Sequence, residues 1–282
     1  MNKSLYININ GKTVSASEPV LFADNHSYRF ADGLFETMKW LNGRVQLVDF
    51  HFERLETGLQ VLKIINPRSF TQKNIEEEIK QLCRKNNCEN LARVRLSVSR
   101  GHGGLFDGDD KFQYLLECWP LSPENNSLNE NGLVTGLYQE AAKSCTVFSN
   151  LKSADFLIYV MAARYAKENK WNDCLLLNQY GRICDATISN VFWIKEGILF
   201  TPPLTEGGIA GVMRKYLLEN EDALGFQITE KILTADELEQ ADEVFLTNAI
   251  KTIRWVSQFR NKKYSCGLSQ KLFQKLMNTF SV

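Results

Sequence analysis

Apolar and polar residues alternate along several short stretches of this chain, and elsewhere apolar residues recur every three or four positions. The first pattern suits strands with one buried face, the second helices that bury one stripe. Residues 6–10 and 13–15 read as two strands joined by a turn at Gly11-Lys12. Residues 34–41 and 44–48 flank Asn42-Gly43, the strongest short hairpin signal. Residues 50–62 carry Phe52, Leu55, Leu59 and Leu62 at helical spacing, and 74–85 carry Ile75, Ile79 and Leu82. Residues 91–99 alternate strictly, and 114–119 form a further strand. A small sheet with helices therefore ends near Pro120.

Residues 122–131 are rich in Ser, Asn, Glu and Pro and read as a linker. Beyond it the pattern predicts a helix over 154–170, strands at 173–177, 190–195 and 198–201, a helix over 212–219, a strand at 243–247 and a last helix over 269–279. Phe156, Val160 and Met161 read as core, with an interface as the alternative. Helices and strands mix without the regular alternation of a doubly wound sheet, so the expected class is α+β. The expected division is a small N-terminal domain over 1–120, a linker over 121–131 and a larger C-terminal domain over 132–282.

Composition narrows the function classes. The 282 residues suit two domains, and a hydrophobic fraction of 44% supplies a core for each. Lys plus Arg number 33 and Asp plus Glu number 33, so no global field draws nucleic acid or an anionic membrane. The seven cysteines (Cys83, Cys88, Cys118, Cys145, Cys174, Cys184 and Cys266) are widely spaced, with no C-x-x-C pair. That spacing argues against a disulfide framework and against a zinc site, and suits a reducing cytoplasm. Met1-Asn2-Lys3-Ser4 leads directly into the first alternation with no apolar signal region, and no run of 18 apolar residues occurs. There is no GxGxxG after a strand, no GxxxxGK[ST] and no HExxH.

Five separated segments carry candidate chemistry: Phe30-Ala31-Asp32-Gly33-Leu34-Phe35-Glu36-Thr37, His51-Phe52-Glu53-Arg54-Leu55, Asn150-Leu151-Lys152-Ser153, the stretch from Asp185 through Ser189-Asn190 and Pro202-Pro203 to Gly211-Val212-Met213, and Ala241 to Ala249. Singly each has a plain reading: a solvated lysine, a helix whose arginine reaches water, a turn aspartate, a glycine-punctuated loop. In this order they resemble the class IV pyridoxal-phosphate enzymes, which include branched-chain aminotransferases, D-amino acid aminotransferases and 4-amino-4-deoxychorismate lyases. The resemblance covers nearly the whole chain and implies the two-domain fold of that class.

The resemblance implies a role for each matching residue. Lys152 stands where the family lysine holds pyridoxal phosphate covalently and shuttles a proton. Arg54 stands where a guanidinium clamps the cofactor phosphate. Val212 and Met213 open a helix whose free N–H groups face the same phosphate. Asp185 takes the place of a family glutamate that faces the pyridine nitrogen. Ser189 and Asn190 match the polar run after it. The family phosphate threonine aligns with Ala249, leaving Thr247 and Asn248 as neighbouring polar groups. The family is also dimeric, so a homodimer is expected.

The reaction turns on other positions. Where branched-chain enzymes carry a tyrosine, this chain has Leu157. The Arg and His trap of the D-amino acid enzymes is absent, and Ser99-Arg100-Gly101-His102-Gly103-Gly104 looks most like the lyases. Thr37 and Asn248-Ala249 point the same way. A lyase substrate derived from chorismate carries two carboxylates and needs cations. Arg93 and Arg95 share one face of a strand, and Arg29, Arg100 and His102 are further candidates, each with a solvent-facing charge as its alternative. The expected activity is a 4-amino-4-deoxychorismate lyase, with an amino acid aminotransferase and a non-catalytic relative as alternatives.

Overall fold

The computed structural model describes residues 4–106 and 111–280, so Met1-Asn2-Lys3 lies outside the described residues. The chain divides into two compact units: Met1–Pro123 with Leu151–Asp155, and Glu124–Asn150 with Phe156–Val282.

The first unit holds β1 (Tyr6–Ile9), β2 (Lys12–Ser15), α1 (His26–Phe30), β3 (Gly33–Leu41), β4 (Arg44–Val45), α2 (Val48–Val61), α3 (Gln72–Lys85), β5 (Leu91–Ser99) and β6 (Gln113–Pro120). Its strands form one antiparallel sheet in the order β2-β1-β6-β5-β3-β4. Asn42 and Gly43 both take positive φ, 49° and 90°, as a tight hairpin between β3 and β4 requires. Strict alternation splits β3 and β5 between two faces. Leu34, Met38 and Trp40 of β3 join Ala92, Val94, Leu96 and Val98 of β5 in a core with Phe52, Leu55 and Leu59 of α2 and Ile75, Ile79 and Leu82 of α3.

One charged residue sits on that apolar face. Glu36 is 2% exposed. Arg54 of α2 forks onto its carboxylate, with Nε 2.7 Å from Oε1 and Nη2 on Oε2, and His51 Nδ1 lies 2.6 Å from Oε2. His51 and Arg54 are three apart, so one face of α2 presents both. A short segment, 151–155, adds to the start of β3: Phe35 N donates to Lys152 O at 2.9 Å and Ala154 N to Gly33 O at 2.8 Å. Lys152, expected in the C-terminal domain, thus groups with the first unit.

The second unit holds β7 (Leu133–Lys143), α4 (Leu157–Glu168), β8 (Asp173–Asn178), β9 (Ile183–Ala186), β10 (Asn190–Lys195), β11 (Ile198–Thr201), α5 (Val212–Glu219), α6 (Glu221–Leu224), β12 (Ile228–Glu230), α7 (Ala235–Glu239), β13 (Glu243–Asn248), β14 (Thr252–Phe259), β15 (Lys262–Lys263) and α8 (Leu268–Phe280). The main path of its mixed sheet runs β12-β11-β10-β13-β14-β7-β8-β9, with β15 on β14. The expected linker is ordered within this unit. Pro123–Asn126 form a 3-10 turn, and Asn129 exchanges hydrogen bonds with the Trp255 backbone and accepts from its indole.

One expectation is corrected. Val160 and Met161 are 48% and 40% exposed, because α4 buries the face carrying Tyr159, Ala162 and Ala166 instead. Small residues let that face pack closely on β7 and β8. No helix among the described residues is long and apolar enough to cross a membrane.

Replacing Glu36 by Gln leaves Arg54 without its buried counter-charge. Burial pushes the Glu36 carboxyl up, but Arg54 and His51 together bring it from 4.5 to about 2. A depressed carboxylate stabilises the fold above its unfolded value and loses that contribution as pH falls through its folded one. Glu36→Gln should therefore cost about 3 kcal/mol at neutral pH in denaturant unfolding. The gap from wild type should close as the pH drops from about 4.5 to about 2.

Candidate active site

In the first unit the residues of β3 that alternate with Glu36 face away from α2. Phe35 pairs across with Ser97, Thr37 with Arg95, and Lys39 with Arg93. Arg95 in turn pairs with Glu117, and Arg93 with Trp119. One sheet face thus gathers Phe35, Thr37, Lys39, Arg93 and Arg95, with Glu117 across from Arg95. The Arg95 guanidinium lies 3.9 Å over the Phe35 ring and the Lys152 ammonium 4.5 Å over the same ring. Phe35 therefore holds two cations through its π face. Burial lowers the Arg93 and Arg95 pKa values, while Glu117 opposes that shift. Among the described residues, Arg93 Nε is buried and has no hydrogen-bond partner. Arg93 and Arg95 are accordingly not solvent-facing charges. They are half-buried donors on a cationic face.

The other expected cations sit elsewhere. Arg29 is exposed and ties a loop, donating to Ala23 O and Gly103 O at 3.0 and 3.3 Å. His102 lies in the same corner, with Nδ1 3.2 Å from Asp24 and Nε2 2.6 Å from Gln113. Arg100 bonds Asp32 at 2.8 Å and the Leu62 and Lys63 carbonyls beyond α2, which is a helix-capping role. Arg54 is the Glu36 partner already described. Burial holds the His51 pKa down, against the pull of Glu36, with Arg54 and Lys152 adding to the depression. His51 is therefore a neutral imidazole at neutral pH, and among the described residues its Nε2 has no hydrogen-bond partner.

In the second unit Asp185, 2% exposed, is the centre of a polar cluster. Its Oδ2 accepts from Tyr159 Oη at 2.9 Å and Ile209 N at 3.0 Å, and its Oδ1 from Asn190 Nδ2 at 3.2 Å. Lys143 donates to the Tyr159 hydroxyl, and its Nζ lies 3.7 Å from Asp185 Oδ2. Burial and the Asp185 charge raise the Tyr159 pKa well above its usual value, so its hydroxyl keeps its proton. Neither Lys143 nor Tyr159 is apparent in the sequence. Lys143 ends a strand without alternation, and Tyr159 is hidden in the apolar pattern of α4.

Asn190 links this cluster to the start of α5. Its Nδ2 also donates to Ile209 O at 2.8 Å, and a Cβ on Gly211 would stand 1.8 Å from its Oδ1, so only glycine fits there. Gly211 caps α5 with no side-chain hydrogen bond, and the first bond back to it comes from Lys215. The N–H groups of Val212 and Met213 thus have no acceptor within the helix. Directly across the sheet, Asn190 pairs with Thr247, so both side chains share one face. Thr247 is 1% exposed, and its Oγ1 has no partner among the described residues. Asn248 donates to Ser189 Oγ at 3.0 Å and accepts from Ile250 N and Lys251 N. An uncapped helix start and an orphaned buried hydroxyl together fit a phosphate. Asp185, which accepts from three donors, offers a carboxylate for a protonated ring nitrogen.

Residues 33–259 match the amino-transferase class IV family. The chain belongs to that family. An aminodeoxychorismate lyase of Bacillus subtilis is 30% identical over 251 residues, covering 88% of this chain and 84% of the relative. A putative branched-chain-amino-acid aminotransferase of Methanocaldococcus jannaschii is 27% identical over 249 residues, covering 88% and 85%. The branched-chain amino acid aminotransferase structure of Escherichia coli superposes with a TM-score of 0.87 at 21% identity, covering 98% and 94%. Class IV members include both aminotransferases and lyases, so family membership makes this chain an enzyme without fixing its reaction.

The orphaned hydroxyl gives a direct test of the phosphate reading. Thr247→Val keeps the shape and removes a buried group that has no partner. Stability should stay equal or rise by about 1 kcal/mol, while affinity for pyridoxal phosphate falls about 10-fold. Thermal melts and a cofactor titration measure the two. Unchanged affinity would show that Thr247 takes no part in binding.

Proposed function

We propose that this class IV enzyme is a 4-amino-4-deoxychorismate lyase that uses pyridoxal phosphate and releases pyruvate to leave 4-aminobenzoate. The observation that carries the reading is the cationic face of the first unit. Arg93 and Arg95 share it with Glu117, and among the described residues Arg93 Nε is buried without a partner. A half-buried face of that charge is costly without an anion, and a substrate with two carboxylates supplies two. The similarity to the Bacillus subtilis lyase supports the same reading.

The residues divide the work. Arg54, Val212, Met213 and Thr247, with Ser189 and Asn248 beside it, are assigned to the cofactor phosphate. Asp185, held by Asn190, is assigned to the ring nitrogen. Lys152 is assigned the covalent attachment. Pyridoxal phosphate, when bound, supplies the electron sink for the bond that breaks next to the substrate amine. Lys152 Nζ takes the proton from the carbon bearing that amine, and must be neutral to do so. Lys152 O accepts from Phe35 N and, two residues on, Ala154 N donates to Gly33 O, so the main chain around Lys152 is fixed against β3. Arg93, Arg95 and Thr37 hold the substrate carboxylates and ring. Arg29, held by loop carbonyls, and His102, held by Asp24 and Gln113, are assigned to the corner that borders the substrate.

Purified protein given aminodeoxychorismate should form 4-aminobenzoate and pyruvate with no oxo acid present. An obligatory oxo-acid partner and ping-pong kinetics with amino acids would instead make it an aminotransferase. Lys152→Ala should lose the visible absorption of the bound cofactor and at least about 1,000-fold in kcat. A protein that stays colourless with added cofactor overturns the enzyme assignment of Lys152. Arg95→Ala should raise KM by about 10-fold or more with a smaller change in kcat.

A further inference from the structure

Three cysteines that this chemistry does not use meet inside the first unit. Cys83 lies in the last turn of α3, Cys88 in the turn that follows, and Cys118 on β6. Their sulfurs all lie within 4.8 Å of one another, and Cys88 Sγ is 3.6 Å from Cys118 Sγ. Buried thiols often pack as small apolar groups, and these three also belong to the core. Apolar packing alone, however, gives no reason for sulfurs from three separate segments to converge.

Two further observations point to a ligand. A tetrahedral ion with metal–sulfur bonds of about 2.3 Å spaces its sulfurs about 3.8 Å apart, within an ångström of what the fold provides. The cluster also has polar groups around it. Asn86 Nδ2 donates to Cys118 Sγ at 3.2 Å, the kind of N–H···S bond that steadies a metal-bound thiolate. Asn86 is itself fixed, accepting from Leu5 N and Tyr6 N at 2.8 and 3.0 Å. The Cys83 carbonyl oxygen, which accepts from Cys88 N at 2.9 Å, lies 3.6 Å from Cys88 Sγ and keeps a second lone pair as a fourth donor. Access is short: Cys88 is buried, but Asn87 and Glu89 on either side are exposed.

We propose that Cys83, Cys88 and Cys118 form a site for a soft divalent d10 ion of the zinc class, with the Cys83 carbonyl oxygen as fourth donor. Three thiolates select such an ion over hard cations. On binding, each sulfur loses its proton to solvent and forms one bond to the ion, and no electron is transferred. With all positions filled by the protein, the site is structural and ties the end of α3 to β6.

Cadmium is the probe, because its thiolate complexes absorb in the ultraviolet. Full-length protein should take up one equivalent of cadmium with a thiolate charge-transfer band and a raised Tm. Cys88→Ala should weaken that binding by on the order of 100-fold, while Cys266→Ala leaves it unchanged. X-ray absorption on the wild-type cadmium form counts its sulfur neighbours without any variant, should Cys88→Ala fail to fold. Three sulfurs support the site. No band at one equivalent, a band that survives in folded Cys88→Ala, or two or fewer sulfur neighbours overturns it. None of these readouts depends on pyridoxal phosphate or on the lyase reading.

Discussion

A carboxylate buried in an apolar layer has to be paired, and in the first unit that requirement falls on Glu36. Arg54 and His51 meet it from one face of α2, which locks that helix against β3. Strand alternation then leaves no choice for the neighbours of Glu36. Phe35 and Thr37 must point to the opposite face, where Arg95 and Lys152 gather on the Phe35 ring. One buried charge thus sets both the helix packing and the placement of the groups assigned to catalysis. The same pairing means that Arg54, whatever it contributes to a phosphate, does so from an orientation set by Glu36.

Asp185 has the corresponding place in the second unit. Tyr159, Asn190 and Ile209 N converge on it, and Lys143 sits behind Tyr159. Asn190 passes that order on to Gly211 and the start of α5, and across the sheet to Thr247. The 207–211 loop packs closely on β9, since a Cβ on Gly208 would stand 2.5 Å from Cys184 O, and the short side chain of Asp185 suits that packing.

Much of this was legible in the sequence where local chemistry and tertiary packing agree. Asn42-Gly43 marks the β3–β4 hairpin, strict alternation marks β5, and α5 falls on the predicted residues 212–219. Strand β7 escaped detection because its burial does not alternate and it contains Gly136, whose missing side chain makes room for Trp171. Strand β14 escaped because Arg254, Ser257 and Gln258 break its apolar pattern. Val160 and Met161 were misread because helical periodicity does not say which of two stripes is buried. At the site, Lys152, Arg54 and Asp185 stood out by their order along the chain. Lys143, Tyr159 and the cysteine trio did not, since their meaning lies in contacts between distant segments. Wide cysteine spacing argues against a motif, but it says nothing of where the fold brings the sulfurs.

The central claim is that Lys152 carries the cofactor, and the second unit contains a rival. Lys143 is buried beside Tyr159 and Asp185, the carboxylate assigned to the ring nitrogen. Borohydride reduction of the cofactor-loaded protein followed by peptide mapping separates the two lysines by mass. The added mass should lie on the peptide bearing Lys152. The same mass on Lys143, with Lys152 unmodified, would contradict the account.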